Sequence, residues 1–325
     1  MEIFVLVVND MFDTGLTAIL DVLAVANELT SVAGKQVRFE VTIVGVRKLM
    51  RTRLGLQVPA TLAKSSPPPD LVVVPALADK TPETLSTALQ RHDVVEAQDV
   101  LKRWYQSGTL VAAACTGTYI LAATGLLDNV HATTTWWLAP DFRKRFPRVI
   151  LDDSQMLVIQ KQRVTAGAAL AHVDLALWIV RQQSPELARM VSRYLMVDGR
   201  ASQAVYAMAD HLAHNDDLIE RFERWARQNL NSFTMAAAAK AVGTSERTLQ
   251  RRLREVLGRT PIAFIRDLRV EQAVYRLQTT NDGVEEIAEA VGYQDGITLR
   301  ALLREKTGCG IRELRNLNKR SSDVV

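Results

Sequence analysis

A cysteine that follows an apolar run is the first residue in this sequence whose setting could support chemistry. Residues 111–114 lead into Cys115, Thr116 and Gly117, and the helical pattern TYILAATGLL follows. A strand that turns sharply at a nucleophile and then enters a helix exposes the catalytic side chain in many α/β hydrolases. The amides of Thr116 and Gly117 would point into the crevice beyond the strand, where they favour an anionic group. The segment therefore predicts either a catalytic cysteine or a ligand-binding crevice.

Arginines at helical spacing form the second candidate site. In the helix predicted after Gly243, the apolar residues Leu249, Leu253 and Val256 share one side. The opposite side carries Arg247, Gln250, Arg251 and Arg254. Arginine can donate two hydrogen bonds to guanine, and glutamine can contact adenine in the same way. Ser245 is placed to cap this helix, with Thr248 near its start, so the pattern predicts a helix that reads the DNA major groove, although a solvated face is the alternative.

A second copy of this pattern strengthens the DNA-binding interpretation. Residues 234–261 and 283–310 each contain Ala-Val-Gly, a short turn and a helix that ends in glycine, which is the pattern of a helix-turn-helix. In the second copy Leu299 and Leu303 form the inner side. The outward residues are Ile297, Thr298, Arg300, Ala301 and Arg304. This face is poorer in charge, and Ile297 could contact a thymine methyl group or simply be an exposed isoleucine.

The elements around Cys115 follow from short apolar runs. Residues 3–8, 39–46, 70–77 and 109–114 are continuously apolar and bounded by turn residues, which is typical of strands buried on both faces. Helical patterns in residues 17–29 and 94–108 separate these runs. Residues 164–180 read as a final strand and a long helix. Together they predict an α/β domain with a doubly wound parallel sheet.

Composition sets limits on the class of protein. The chain has 325 residues, 48% of them hydrophobic, and a formal net charge of +4, with a sequence pI of about 9.1. The two cysteines, Cys115 and Cys309, have neither zinc-site nor disulfide spacing, and His172, His211 and His214 indicate no metal site. Since we find no transmembrane run and no cationic leader, we expect a cytoplasmic protein without a cofactor.

The change from alternating strands and helices to helices alone predicts two domains. We expect a ligand-sensing and dimerisation domain over residues 1–195, a linker over 196–216 and an all-α domain over 217–318. The helix-turn-helix units occupy about 234–257 and 283–307, and a flexible tail covers 319–325. Asp216 or Asp217 is placed to cap the first helix of the second domain.

Residues 217–315 resemble the DNA-binding domain of the AraC family of transcription regulators. The likeness rests on GTSERTLQRRLREVLGRTPIAFIRDLRVEQAVYRL, with its Ser-x-Arg-x-Leu-x-Arg pattern and its Gly258–Pro261 turn, and on IAEAVGY. The resemblance implies two helix-turn-helix units joined by a long helix, in which Arg269 is a paired structural cation. The second unit departs from the family at Leu299, Leu303, Ala301, Cys309 and Gly310, where Phe, Phe, Arg and Ser-Pro are common.

The first two hundred residues resemble the PfpI/ThiJ-like superfamily, whose fold is of the class I glutamine amidotransferase-like, flavodoxin-like type. The motifs are DVLAVAN, CTGTYILAATGLLDNVHATTTWW and VTAGAALAHVDLALWIV. Joined to an AraC-type domain, this is the layout of the GlxA family of regulators. Enzymes of the superfamily pair the cysteine with a histidine, which this sequence replaces by Thr135, and His131 reads as a turn residue. We therefore expect no catalysis, although the helix start could lower the pKa of Cys115.

These patterns predict a sequence-specific transcription regulator that senses a small metabolite. The residues expected to line the ligand pocket are Asn9, Asp13, Cys115, Thr116, Thr135 and Trp136. The resemblance implies promoter DNA, a second copy of the chain and RNA polymerase as partners, and an amino-acid or amine metabolite as effector. Two alternatives stay open: a cysteine hydrolase or amidotransferase-like enzyme with a helical docking domain, and an architectural DNA-binding protein that has lost ligand binding.

Overall fold

The computed structural model describes residues 1–30, 37–197, 202–203, 214 and 216–322. They cluster into two compact units, one formed by Met1–Leu138 with Arg145–Ala201 and the other by Ala139–Lys144 with Ser202–Val325. His211 and most of the predicted linker lie outside the described residues. Within the described part of the chain, no helix is both long and apolar enough to cross a membrane.

A seven-stranded sheet forms the centre of the first unit. The strands before residue 197 are β1 (Glu2–Val7), β2 (Glu40–Gly45), β3 (Leu49–Arg51), β4 (Gln57–Pro59), β5 (Thr61–Leu62), β6 (Leu71–Val74), β7 (Leu110–Ala114), β8 (His131–Ala132), β9 (Ile150–Leu151), β10 (Leu157–Gln160) and β11 (Arg163–Ala166). The order in the sheet is β10-β11-β7-β6-β1-β2-β5. Every neighbouring pair is parallel except β10 with β11. The predicted doubly wound parallel sheet is confirmed.

Apolar residues explain why these strands lie at the centre. All four residues of β6 are buried, as are the last four of β7. A strand in the middle of a parallel sheet is covered on both faces by helices, so it needs continuous rather than alternating apolar residues. The register places Ile3 of β1 opposite Leu71 of β6 and Val41 of β2.

Six of the seven helices described before residue 197 form two groups, and the remaining one, Ala139–Arg145, falls mostly in the second unit. Their bounds are α1 (Asp13–Leu29), α2 (Pro82–Leu89), α3 (His92–Gln106), α4 (Gly117–Ala123), α5 (Ala139–Arg145), α6 (Ala171–Gln183) and α7 (Pro185–Tyr194), with single 3-10 turns at Ala63–Ser65 and Trp136–Leu138. Helices α1, α6 and α7 contact one another, and α2, α3 and α4 do the same. Helix α1 begins before the predicted residue 17 and buries Leu16, Ile19 and Leu23.

Several short strands were missed by the sequence patterns. The antiparallel hairpin of β3 and β4 pairs Met50 with Val58, and β8 pairs with β9 through His131 and Ile150. His131 therefore lies in a two-residue strand rather than a turn. These strands are only two or three residues long and most of their side chains are exposed or half-buried, so no local apolar pattern marks them and long-range pairing holds them in place.

The second unit is helical beyond residue 216. Its helices are α8 (Asp217–Gln228), α9 (Met235–Ala241), α10 (Glu246–Leu257), α11 (Pro261–Thr279), α12 (Val284–Ala290), α13 (Gly296–Thr307) and α14 (Ile311–Ser322). Side chains of Asp216, Thr234, Ser245, Thr260 and Asp295 cap five of them by accepting a backbone N–H. Of the alternatives Asp216 and Asp217, Asp216 is the cap. The cap predicted at Ser245 is confirmed, and α14 extends into the predicted tail.

The long helix α11 joins the two halves of this unit. Its residues Val274 and Leu277 pack with Ile287, Leu299 and Leu303 in one apolar core. At its other end Phe264 packs on Phe222 of α8, with ring centroids 5.6 Å apart. The helix therefore holds the two helix-turn-helix units as parts of one packed structure.

Candidate functional site

A strained turn at Cys115 connects β7 to α4. Cys115 has a φ of 54°, in the left-handed region that few non-glycine residues adopt. A Cβ atom at Gly117 would lie 2.5 Å from the carbonyl oxygens of both Val74 and Pro75, so only glycine allows α4 to start this close to β6. The predicted sharp turn between strand and helix is therefore present, and its geometry needs this glycine.

The loops after three neighbouring strands meet at the turn. The Phe12 N–H donates to the Ala76 carbonyl at 2.8 Å, which ties the loop after β1 to the loop after β6. The Thr116 hydroxyl donates to the Leu77 carbonyl at 2.6 Å and ties the loop after β7 to the same segment. This is the carboxyl edge of the parallel sheet, where open α/β folds bind ligands.

The Cys115 thiol is buried and protonated at neutral pH. Burial raises the pKa of Cys115 to about 11, although hydrogen bonds from Thr116 and the nearby Thr135 hydroxyl favour the thiolate. The lowering expected from the helix start is therefore wrong, because the loss of hydration outweighs it. A thiol in this state is a weak nucleophile.

The buried histidine beside the crevice is engaged in backbone bonds. Nε2 of His172 accepts the Ala76 N–H at 3.1 Å, and Nδ1 lies 2.5 Å from the Ala169 carbonyl oxygen. Burial lowers the pKa of His172 to about 4, so the imidazole is neutral. His172 is a core residue that orders the loop after β6.

His214 in the second unit lies 3.2 Å from a carboxylate oxygen of Glu223, and no cluster of metal ligands occurs among the described residues.

The predicted lining residues differ in how they are bonded. Asn9 is structural, since its N–H donates to Asp93 at 2.8 Å and its Oδ1 accepts the Arg51 N–H at 2.9 Å. Asp13 is 8% exposed, and one of its oxygens accepts the Leu54 N–H at 3.1 Å. The other oxygen, Oδ1, has no hydrogen-bond partner among the described residues.

The aromatic and hydroxyl candidates complete this set. Thr135 is fully buried, and apart from the Cys115 sulfur its Oγ1 has no hydrogen-bond partner within the described part of the chain. Trp136 is 9% exposed and packs edge-on against Trp137, with centroids 5.6 Å apart. Among the described residues, Asp13 Oδ1 is thus a buried acceptor without a partner, and Thr135 Oγ1 is a buried hydroxyl engaged only with the Cys115 sulfur.

A charged cluster beside the loop after β1 was not indicated by the sequence. Arg91 bonds to Asp10 at 2.8 Å and to Asp93 at 3.1 Å, and its guanidinium also donates to the Asn9 carbonyl. Burial raises the pKa of the neighbouring Asp79 against the opposing effect of Arg91. Arg91 and Asp10 lie far apart in sequence, so no local pattern could have linked them.

The first helix-turn-helix unit is formed by α9 and α10, joined by a turn with Gly243 at a φ of 73°. Leu249 and Leu253 are fully buried. On the opposite side, Arg247, Arg251 and Arg254 are exposed and Gln250 is half-buried. Ser245 accepts the Thr248 N–H at 3.2 Å. The amphipathic face predicted for this helix is present, and Arg251 bonds to Glu255 at 2.7 Å.

The second unit is formed by α12 and α13, with Gly292 in the turn at a φ of 88°. Its turn is one residue longer, because Asp295 rather than Gln294 caps α13. Leu299 and Leu303 are buried, whereas Ile297 is 75% exposed. Thr298, Arg300 and Arg304 are also exposed. The outer face of α13 therefore carries fewer cations than that of α10, as the sequence predicted.

Arg269 is a structural residue of α11. Its guanidinium donates to the Leu230 carbonyl at 2.8 Å and lies over the Tyr293 ring, 5.0 Å from the centroid. Its observed partners are thus a carbonyl group and an aromatic face rather than a carboxylate. The predicted structural role stands, and the aromatic partner could not be read from the sequence.

Comparison with known proteins identifies both parts of the chain. The DJ-1/PfpI family matches residues 1–182, and a helix-turn-helix domain matches residues 238–317. The HTH-type transcriptional regulator ArgR of Pseudomonas aeruginosa is 29% identical over 252 residues, which cover 76% of this chain and 74% of that protein. The HTH-type transcriptional regulator GlxA of Rhizobium meliloti is 26% identical over 206 residues, covering 62% and 63% of the two chains.

Solved structures show the same fold. A crystal structure of an AraC family transcriptional regulator from Pseudomonas putida aligns with a TM-score of 0.50 at 20% identity. It covers 60% of this chain and 98% of that chain. At this level of identity the likeness supports the architecture of the aligned part and nothing finer.

Proposed function

The chain belongs to the DJ-1/PfpI family and joins that domain to an AraC-type helix-turn-helix domain, and we propose that a small metabolite bound at the Cys115 crevice controls its binding to promoter DNA. The protein is a DNA-binding transcription regulator. The observation that carries the proposal is the pair of helix-turn-helix units, of which the first presents exposed arginines opposite a buried apolar face.

We propose that both recognition helices contact DNA. In the first unit the contacts come from Ser245, Arg247, Thr248, Gln250, Arg251 and Arg254. In the second they come from Ile297, Thr298, Arg300 and Arg304. The exposure of the arginines on α10 supports bidentate contacts to guanine, whereas the exposed Ile297 suits a thymine methyl group.

The crevice binds a ligand and does not catalyse a reaction in this proposal. A nucleophilic cysteine needs a thiolate and a base that generates it. Burial raises the pKa of Cys115 to about 11, and the neighbouring hydroxyl of Thr135 cannot act as a base at neutral pH. Both observations disfavour the cysteine hydrolase or amidotransferase-like alternative.

The buried polar atoms of Asp13 and Thr135 indicate which kind of effector the crevice would bind. Asp13 Oδ1 is a buried acceptor without a partner among the described residues, so it favours a hydrogen-bond donor such as an ammonium group. Thr135 Oγ1 can accept a second donor or donate to a carboxylate. At the start of the seven-residue helix α4, the amides of Thr118 and Tyr119 bond to the Cys115 and Thr116 carbonyls, so the contribution to anion binding that we propose is limited to the amides of Thr116 and Gly117. An amino-acid or amine metabolite fits these groups.

The remaining expectations belong to the same proposal. We keep the division into a sensing and dimerisation domain over residues 1–195, a linker over 196–216 and a DNA-binding domain over 217–318. A homodimer would place two DNA-binding domains on paired operator sites and raise the affinity through avidity. A cytoplasmic location and contact with RNA polymerase follow from promoter binding.

Selection of bound sequences from a random-duplex pool by the full chain tests the DNA-binding part. We expect one enriched motif with two sub-sites. A thermal-shift screen of amino acids and amines, repeated with Asp13→Asn, tests the sensor, and the stabilising compound should lose its effect in the variant. A pool without enrichment, or a ligand that stabilises Asp13→Asn equally well, would contradict the respective half of the proposal.

A further inference from the structure

The start of the second recognition helix is held by a side chain from the preceding helix. Oε2 of Glu285 in α12 accepts the Gly296 N–H of α13 at 2.5 Å. Asp295 caps the same end by accepting the Thr298 N–H at 2.7 Å. The other oxygen of Glu285 lies 3.7 Å from the Arg300 guanidinium. Two carboxylates thus lie at the end of α13 that helix-turn-helix proteins direct toward DNA.

Glycine at position 296 makes this contact possible. A Cβ atom there would lie 2.5 Å from Oε2 and 2.6 Å from Oε1 of Glu285. Gly296 does not need glycine for its backbone conformation, since it is a helical residue without a positive φ. The missing side chain therefore serves the approach of the Glu285 carboxylate.

The first unit is built differently at the same place. Ala236 of α9 stands where α12 has Glu285, and the neutral hydroxyl of Ser245 caps α10. Glu246 stands at the position in α10 that Gly296 occupies in α13. Both recognition helices therefore have an acidic residue at their start, Glu246 in the first turn of α10 and Asp295 as the cap of α13. Among the described residues, however, only the second unit has a glutamate bonded across the turn to the first N–H of its recognition helix.

This arrangement acts against binding of the phosphate backbone. The free N–H groups at a helix start bind phosphate, and an arginine beside them adds charge. Glu285 occupies one such N–H, adds negative charge where a phosphate would approach, and lies 3.7 Å from the Arg300 guanidinium. At the start of α13 the side chain left for base contact is the apolar Ile297, which is 75% exposed and can discriminate bases only through shape and methyl groups, while Arg304 lies farther along the helix.

We infer that Glu285 is a specificity-determining residue, which keeps the second helix-turn-helix unit from binding unrelated DNA through its phosphates. The inference rests on the proposed DNA-binding function. The inference predicts that loss of the Glu285 charge strengthens binding to every DNA duplex. The increase in affinity should be largest for duplexes whose sequence differs from the selected site.

Glu285→Gln tests this in the full chain, because glutamine keeps an oxygen for the Gly296 N–H and removes the charge. The probes are a duplex selected by the wild-type chain from a random pool and a scrambled duplex of equal composition. Binding to the scrambled duplex should tighten, and the ratio of selected to scrambled affinity should fall. One added phosphate contact makes the slope of log affinity against log salt concentration steeper by about 0.9. The gain in affinity for the scrambled duplex should therefore shrink about threefold when the salt concentration rises about fourfold.

Glu286→Gln is the matched control. It removes the same charge one residue away, from a carboxylate that bonds to the Gly283 N–H at the start of α12. Gly296→Ala is a second, independent variant, since it keeps both charges and displaces the end of the Glu285 side chain from the helix start. It should also tighten binding to the scrambled duplex.

The outcomes separate this inference from the proposed function. Failure of the wild-type chain to select any sequence would contradict DNA recognition itself. If the wild-type chain selects a sequence but Glu285→Gln behaves as Glu286→Gln does, the inference is wrong and the effect is one of net charge. If Gly296→Ala binds as the wild type does while circular dichroism shows intact helices, the position of Glu285 has no role and the inference is likewise wrong.

Discussion

Arg269 and Tyr293 connect the two halves of the helix-turn-helix domain. The guanidinium lies 5.0 Å from the ring centroid and donates to the Leu230 carbonyl at 2.8 Å. A Cβ atom at Gly292 would lie 2.7 Å from an Arg269 nitrogen, so the turn of the second unit closes directly over this side chain. One arginine from α11 thereby fixes the position of the second turn relative to the segment that follows α8.

Replacement of Arg269 by glutamine should destabilise the C-terminal unit. The charge-assisted hydrogen bond contributes about 1.5–3 kcal/mol and the cation–π contact about 0.5–2 kcal/mol, so we expect a loss of roughly 2 kcal/mol in the free energy of unfolding. Urea denaturation monitored by circular dichroism measures it. Tyr293→Phe is the control, since it keeps the ring and should change stability much less. Equal losses in both variants would show that the phenol hydroxyl rather than the ring face matters.

The Cys115 thiol should react slowly in the folded protein. Since its pKa is raised to about 11, less than about one thiol in a thousand is ionised at pH 8, and the thiolate fraction rises tenfold per pH unit up to the pKa. Iodoacetamide labelling located by mass spectrometry should be slow at Cys115 and become normal after denaturation. Cys115→Ala should retain DNA binding. Fast labelling at neutral pH, or esterase or amidase turnover that Cys115→Ala abolishes, would contradict the sensor interpretation.

Acid should weaken the first unit through His172. The pKa of His172 is lowered to about 4 in the folded state, against about 6.5 in an unfolded chain, so the unfolded state binds the extra proton between these values. The stability that this neutral histidine contributes is present above pH 6.5 and is lost as the pH falls toward 4.

The loss of stability that protonation of His172 causes is on the order of 3 kcal/mol for a pKa lowered from about 6.5 to about 4. Thermal unfolding of the wild type and of His172→Gln between pH 4 and 7 measures it. Glutamine can still accept the Ala76 N–H but does not titrate. The stability difference between the two proteins should therefore shrink on acidification, and a difference independent of pH would exclude His172 as the source.

The two recognition helices should contribute unequally to base discrimination. Arg247, Gln250, Arg251 and Arg254 give α10 more donors than Arg300 and Arg304 give α13. We expect Arg251→Ala to cost about 1–3 kcal/mol and to relax specificity at one sub-site, and Arg300→Ala to lose less. Titration on operators mutated in each sub-site, at several salt concentrations, separates base contacts from phosphate contacts. A larger loss of discrimination in Arg300→Ala would contradict this ranking.

The sequence was sufficient for the architecture because the decisive patterns are local. Continuous apolar runs such as that of β6 predict strands buried on both faces, and the repeated Ala-Val-Gly turns predict two helix-turn-helix units. The caps at Asp216 and Ser245, and the amphipathic face of α10, also followed from neighbours within a few residues. Such signals need no knowledge of which distant segments meet.

Sequence alone also located the turn at Cys115, but it did not determine the state of the thiol. The type of residue and the helix behind it favoured a lowered pKa, whereas burial among the loops after β1, β6 and β7 raises it. Hydration of a side chain depends on everything packed around it, and those neighbours come from segments far apart in the chain.

The charged contacts of the two units were likewise decided by the tertiary structure. Arg91 meets Asp10, and Arg269 meets Tyr293, only because strands and helices distant in sequence pack side by side. Glu285 reaches the start of α13 because the turn brings α12 alongside it and Gly296 leaves room. Periodicity within one segment places a residue on a face, but the partner that this face meets depends on how the segments pack together.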